Sequence, residues 1–427
     1  MPVTSLASCQ TAPLIELERR LLAGQPQIEH WFRRQFAEHA PPFYGSVDLR
    51  NSGFKLAPVD MNLFPGGFNN LGRDAQPLAV QAVTHAVERA CNDAKSILLI
   101  PENHTRNTFY LKNVAALARI LSQAGFRVRI GSLLAEITAP TVFDLPDGDT
   151  LTLEPIVRRG NRLVLADGFN PCLILLNNDL SAGAPALLRD LEQNVLPPLH
   201  AGWDVRRKTH HFAAYDSVAN EFGELLSIDP WFVNPYFAAC GGLDFHERQG
   251  EQVLADAVSD QLARIGAKYR EHGISETPFV IVKADAGTYG MGVMTAKSPD
   301  DVVGLNRKQR NKMSVIKEGQ QVSEVIVQEG VYTFETVADA VAEPVIYMID
   351  RHVVGGFYRV HEGRGVDENL NAPGMHFTPM TFDAACLPDM TCGPECSTNR
   401  LYAYGVVARL ALLAASRELE ATDPAQG

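Results

Sequence analysis

The stretch from Pro278 to Ala296 restricts the fold of this chain more than any other. Phe279 to Val282 is an apolar, β-branched run that reads as a buried strand, and Lys283 interrupts it. Three glycines follow, Gly287, Gly290 and Gly292, and then a second β-prone run from Val293 to Thr295. The order is strand, glycine loop, strand. A dinucleotide fingerprint is spaced G-x-G-x-x-G and opens a helix, whereas here the spacing is G-x-x-G-x-G and a strand comes next. A P-loop needs G-K-[ST] after its last glycine, and none is present. What remains is a glycine hairpin around Gly287, Thr288, Tyr289, Gly290 and Gly292, whose backbone N–H groups can close over phosphate oxygens. Lys283 adds a mobile cation beside it. An ordinary glycine-rich hairpin with a snorkelling lysine has the same local sequence, so the motif needs support from elsewhere.

Composition narrows the classes. A length of 427 residues allows two or three domains around a large core. A formal net charge of −12 argues against a general nucleic-acid or anionic-membrane binder, because both need a positive face. Met1 to Glu18 lacks a basic segment followed by an apolar one, and no apolar run approaches the ~20 residues of a membrane span. A soluble, cytoplasmic protein is expected. Seven cysteines are spread widely and read mostly as reduced core thiols. Cys386, Cys392 and Cys396 are spaced C-x5-C-x3-C with His376 nearby, which is not a usual zinc pattern, so loop thiols are the preferred reading.

In chain order, two helices open the sequence, and Asp48 to Gly72 then reads DLRNSGFKLAPVDMNLFPGGFNNLG. Polar and anchored by Leu, Phe and Met, it is expected to be a structured loop walling a small-molecule pocket. Arg50, Lys55 and Asp60 are its directed polar groups. Leu78 to Ala94, Ser96 to Ile100, Asn107 to Ala124 and Arg127 to Ile130 alternate helix and strand, the pattern of an open α/β sheet. Arg106 follows a strand's carboxyl end, where such sheets place ligands. Cys172 to Leu176 is a further strand, and Ala184 to Leu196 reads as a helix. Trp203 to Phe212 holds the one dense basic cluster, with Arg207 within it as a candidate for substrate carboxylates. From Asp216 to Glu271 the chain is expected to be mostly helical. Later, EVIVQEGV is a strand ending at Gln328, Glu329 and Val331. Asp350 follows another strand, Arg359 lies mid-strand, and Asp367, Glu368, Asn369 and Asn371 crowd a turn with hard-cation ligand types. Leu401 to Glu418 closes the chain as a helix.

A strand lysine leading into a glycine hairpin, a strand ending Gln-Glu, a strand arginine and an acid-Asn-x-Asn turn occur here in that order. This set resembles the ATP-grasp superfamily, and the run RVHEGRGVDENLNAPG is similar to a segment of bacterial glutathione synthetases. Over its whole length the chain resembles the proteobacterial, ATP-grasp-type glutamate–cysteine ligase (gamma-glutamylcysteine synthetase) family. The stretches DLRNSGFKLAPVDMNLFPGGFNNLG, ENHTRN, KADAGTYGMGV and GFYRVHEGRGVDENLNAPGMHF carry that likeness.

The resemblance implies an α/β (α+β) architecture: an open α/β pre-grasp and substrate domain over residues 1–215, then a glutathione-synthetase-like ATP-grasp domain over 216–427. It implies ATP and Mg2+ as cofactors, with glutamate and cysteine joined through an acyl phosphate to gamma-glutamylcysteine, the first step of glutathione biosynthesis. It places nucleotide contacts on Lys283, the glycine hairpin, Gln328, Glu329 and Val331. Arg359 and Asn369 become the catalytic pair. Metal ligands come from Glu368 and Asn369, with the earlier acid open among Asp350, Glu362, Asp367 and Glu368. Substrate contacts fall to Arg50, Lys55, Asp60, Arg106 and Arg207. Lys268 is the nearest candidate for a second nucleotide lysine. A different carboxylate–amine ligase and a non-catalytic nucleotide binder are the competing readings, and a homo-oligomer is left open.

Overall fold

The computed structural model describes residues 12–287, 292–314, 321–380, 391 and 397–424. Among them, three sheets organise the chain. The first is antiparallel, with strands ordered His376–Pro379, His352–His361, Ala340–Ile349, Tyr44–Asn51 and Leu56–Asn62, and with Glu335–Val337 also paired to Ala340–Ile349. The second is antiparallel and four-stranded, ordered Phe237–Gly241, Glu324–Glu329, Val280–Ala284 and Val293–Ala296. The third is the expected open α/β sheet, in which Ser96–Pro101 runs parallel to both Arg127–Ser132 and Leu173–Asn177.

Local chemistry explains several boundaries. The Asn107 side chain accepts the Tyr110 N–H and caps the helix Thr108–Gln123. Ser96–Pro101 is buried along its whole length, as suits a parallel strand covered on both faces. The closing helix Ser397–Ala421 is buried almost all round from Tyr402 to Ser416, with Arg409 the exception. It lies against the helix Lys208–Leu226 and the Tyr44–Asn62 hairpin. No helix among the described residues is long and apolar enough to cross a membrane.

Four expectations change. Asp48 to Gly72 is mainly a β-hairpin rather than a loop. Its first strand sits in the middle of a sheet, with Val47 and Leu49 in the core and Asp48 and Arg50 directed to the other face. Ala184–Leu196 is not a helix. It holds a short 3-10 turn and the strand Asn194–Leu196, which pairs with Leu173–Leu175. Gln193 fixes that path by bonding Leu163 N and O and Pro171 O, so tertiary contacts outweigh helix propensity. The largely helical region after Asp216 also contains the strand Phe237–Gly241, paired to Glu324–Gln328. Finally, the boundary at 215/216 falls inside the helix Lys208–Leu226. The N-terminal hairpin shares a sheet with residues 335–379, so the first sheet is built from both ends of the chain.

Candidate active site

The first two sheets face each other across a cleft enclosing about 120 Å³. Asp48, Arg50, Asp60, Lys283, Gln328, Glu343, Arg359 and Asn369 are among the residues that line it. Three cations bridge the two sheets. Lys283 donates to Val59 O at 2.6 Å, Arg50 donates to Val331 O at 3.2 Å, and Lys55 pairs with Glu329 at 2.8 Å. Asp285, just ahead of the glycine loop, caps the helix Lys208–Leu226 by accepting Thr209 N at 2.8 Å and Thr209 Oγ1 at 2.7 Å. Gly287 and Gly292, on either side of that loop, have φ of 93° and 60°, where glycine avoids the strain of a side chain.

Strand register sets the electrostatics. Asp48 and Asp60 stand directly opposite each other on adjacent antiparallel strands. Like charges in that arrangement are unfavourable unless cations lie between or beside them. Arg359 Nη1 reaches Asp48 Oδ2 at 2.7 Å and Glu343 Oε1 at 2.5 Å, and Lys208 reaches Asp60 Oδ1 at 3.1 Å. Burial pushes the Asp48 carboxyl up, and although Arg359 opposes this, Glu343 and Asp60 reinforce it. Burial would also raise Asp60, but Lys208 and Lys283 hold it well below the usual carboxylate range. Glu343 is likewise held low by Arg50 and Arg359 against the effect of burial. Desolvation lowers Lys283 to about 8 despite the nearby Asp60. Two buried donor atoms of the cleft, Gln328 Nε2 and Arg359 Nε, have no hydrogen-bond partner among the described residues.

The structure therefore gathers part of the sequence-derived set. Lys283, Gln328, Glu329, Val331, Arg359, Asn369, Arg50 and Asp60 all line the cleft. Two of these are occupied by the fold. Arg50 is committed to Glu343, Val331 O and Glu368 O. The Glu329 carboxylate is 1% exposed and accepts Lys55 Nζ, Trp231 Nε1 and Tyr236 N. Asn369 Oδ1 accepts Asn371 N at 2.9 Å and shapes the turn. Thr288, Tyr289, Gly290, Cys9, Cys386, Cys392 and Cys396 lie outside the described residues.

Other candidates stand elsewhere. Lys55 is 1% exposed beneath Glu329 and does not line the cleft. Asp350 sits at the far end of its strand from Glu343, where Arg89 reaches it at 3.0 Å. Asp367 pairs with Lys297 at 2.6 Å, and Glu368 accepts Gly365 N and Arg364 Nη1, both beside an outer depression. Glu368 is satisfied by donors next to it in the chain, whereas the partner of Asp367 comes from Lys297, just after the strand Val293–Ala296. Arg106 is exposed beyond the third sheet, and Arg207 bonds the carbonyls of Asp204, Val205 and Arg206. Lys268 pairs with Asp229 and Glu271, where with His272 three potential metal donors cluster around an ammonium already in place.

Asp48, Lys208 and Glu343 were missed from the sequence. The alternation Val47-Asp48-Leu49-Arg50 was the available signal, since a polar residue between two core residues on a central strand must face a second surface. A larger depression of about 760 Å³ lies on the third sheet. Its charges are consumed in pairs, Arg119 with Asp149 and Arg129 with Glu154, which makes it the weaker site.

Two antiparallel sheets closing on a cleft of paired carboxylates, a lysine before a glycine loop and a strand arginine define a ligase of ATP-grasp architecture. The family model "Glutamate-cysteine ligase" matches residues 18–419. The chain belongs to the glutamate–cysteine ligase family. A crystal structure from Methylobacillus flagellatus KT, provisionally named a gamma-glutamylcysteine synthetase, is 65% identical over 99% of this chain and 100% of that one, with a TM-score of 0.92. A glutathione synthetase-like effector from Globodera pallida is 10% identical over 82% of this chain and 79% of that one (TM-score 0.37). D-alanyl-alanine synthetase A from Vibrio cholerae is 10% identical over 74% and 81% (TM-score 0.34). No curated protein matches the chain.

Proposed function

We propose that the cleft between the first two sheets is where this chain carries out its family's reaction, the ATP-dependent joining of the glutamate side-chain carboxylate to the amine of cysteine. The observation that carries this reading is the convergence there of Lys283 and Arg359 with the facing carboxylates Asp48 and Asp60. The unspent donors Gln328 Nε2 and Arg359 Nε fit a polar, oxygen-rich ligand such as a nucleotide triphosphate. For a hard divalent cation, which favours oxygen ligands, the cleft offers Asn369 and Asn371 of the turn read from the sequence as the metal site, together with Glu343. Mg2+ held there would neutralise phosphate charge.

The chain's own residues do the rest. Lys283 holds phosphate oxygens from the strand, and Gln328 donates to an acceptor of the nucleotide. Arg359, fixed by Asp48 and Glu343, faces the charge that develops as the γ-phosphoryl group moves to the glutamate carboxylate. The acyl phosphate then loses phosphate as the cysteine amine forms the amide. Catalysis here is positioning and electrostatic stabilisation, and needs no protein nucleophile.

The test is ADP release with ATP, Mg2+, glutamate and cysteine, omitting one at a time. Release that needs both amino acids, with gamma-glutamylcysteine as product, is expected. Release only with other acids or amines would overturn the substrate assignment, and ATP binding without turnover with any pair would overturn catalysis.

A further inference from the structure

A second cavity, of about 280 Å³, opens away from the cleft. It lies where the turn between the strands Ala340–Ile349 and His352–His361 meets the helices Gln25–Glu38, Ala75–Ala90 and Ser397–Ala421. His352 begins the strand that carries Arg359, and the extended chain between the two spans roughly 23 Å. Gln25, Gln81, His85 and Arg351 line this cavity, and none of their side chains makes a hydrogen bond or ion pair among the described residues. His352 also lines it, its ring centroid 5.4 Å from that of His85, and its buried Nε2 has no hydrogen-bond partner among the described residues. The carboxylates nearby are already taken. Glu29 accepts Arg409 Nη1 and Nη2, both at 2.8 Å, and Tyr402 OH at 3.1 Å. Asp350, beside Arg351 in the chain, pairs with Arg89 at 3.0 Å. The local field is positive. Burial lowers the pKa of His352, and Arg351, His85 and Arg409 act in the same direction against Asp350.

We propose that this cavity is a second binding site, separate from the reaction in the cleft, for a small oxyanion bearing a carboxylate or phosphate group. Arg351 is its charged anchor, and His85, Gln81 and Gln25 are its neutral donors. A guanidinium presents a planar fork to carboxylate or phosphate oxygens, and amide and imidazole N–H groups extend the set. Small-molecule sites combine a formed cavity with a few convergent polar groups. Here those groups are the ones the fold leaves unspent, whereas the ion pair of Glu29 and Arg409 is closed on itself. A cationic ligand would meet Arg351 and find no free carboxylate, and an apolar one would strand the donors.

The experiment is isothermal titration calorimetry of the full chain with inorganic phosphate and, separately, with succinate, each in saturating MgADP so that the cleft is filled. Wild type is compared with Arg351→Ala and His85→Ala, whose side chains are exposed and outside the core, so both variants are expected to fold. Saturable binding of at least one anion to wild type is expected, weakened about tenfold or more by Arg351→Ala and about threefold or more by His85→Ala. Turnover and KM without added anion should match wild type in both variants. Binding of succinate alone would support a carboxylate ligand, and of phosphate alone a phosphoryl one. No saturable binding to wild type, or undiminished affinity in Arg351→Ala, would overturn the proposal. So would binding that is seen only when MgADP is left out, because that places the anion in the cleft.

Discussion

Replacing Lys55 by Met isolates a group that the sequence offers to substrate and the fold keeps for itself. Lys55 and Glu329 are each 1% exposed, with 2.8 Å between Nζ and Oε2. The ammonium also donates to Asn234 O at 2.9 Å and lies 4.3 Å from the centroid of the Trp231 ring. Removing one partner of a buried ion pair costs about 3–5 kcal/mol, because the other charge is left uncompensated. Here Glu329 keeps two neutral donors, Trp231 Nε1 and Tyr236 N, so the lower end, about 3 kcal/mol, is expected. Adding Glu329→Gln removes the stranded charge and is expected to recover about 2 kcal/mol as coupling between the two sites. The assay is urea unfolding at neutral pH followed by tryptophan fluorescence, with steady-state kinetics on the folded protein. KM for both amino acids should stay within about twofold of wild type, since Lys55 does not line the cleft. A variant as stable as wild type but with a strongly raised KM for an amino acid would refute the reasoning, and would return Lys55 to substrate binding.

Three further outcomes follow from the same geometry. Arg359→Met leaves Asp48 without its cation and Glu343 with Arg50 alone, so turnover per folded enzyme should fall ~10²–10³-fold, while Arg359→Lys should recover stability more than rate; rate measurements beside thermal melts check both. Lys55 and Lys283 are each lowered by desolvation to about 8, against roughly 10.4 in an unfolded chain. Between those values the unfolded chain binds more protons, so these groups add stability as pH rises above about 8, whereas kcat/KM for ATP should fall over the same range as Lys283 loses its charge; a melting series and a pH–rate profile should diverge. Gly330→Ala would place a Cβ 2.1 Å from the Phe279 ring, in a core with little room to yield. A loss of at least about 1–3 kcal/mol is expected, read from the urea midpoint.

How much of this was legible in the sequence depended on whether a residue's partner was near it in the chain. The strands on either side of the glycine loop were readable because Phe279–Val282 and Val293–Thr295 carry their own β-branched signal. The parallel strands were readable because Ser96–Ile100 and Cys172–Leu176 are short apolar runs. Residue type at Asp367 and Glu368 could not show their partners: Glu368 accepts Gly365 N and pairs with Arg364, and Asp367 pairs with Lys297. Asp48 lay hidden for the opposite reason. Its partner Arg359 is about 300 residues away, and the sheet that joins them is made from both ends of the chain. The same long-range closure joins strands from both sides of 215/216 in one sheet.

The most direct measurement is the turnover of Asn369→Ala beside that of Arg106→Ala, each assayed over a range of Mg2+. With the reaction in the cleft that Asn369 lines, Asn369→Ala should lose ~10²-fold or more in rate and need far more Mg2+, while Arg106→Ala, exposed beyond the third sheet, should stay within about a few-fold of wild type. A crippled Arg106→Ala enzyme next to an active Asn369→Ala enzyme would contradict the account and move the reaction away from the cleft.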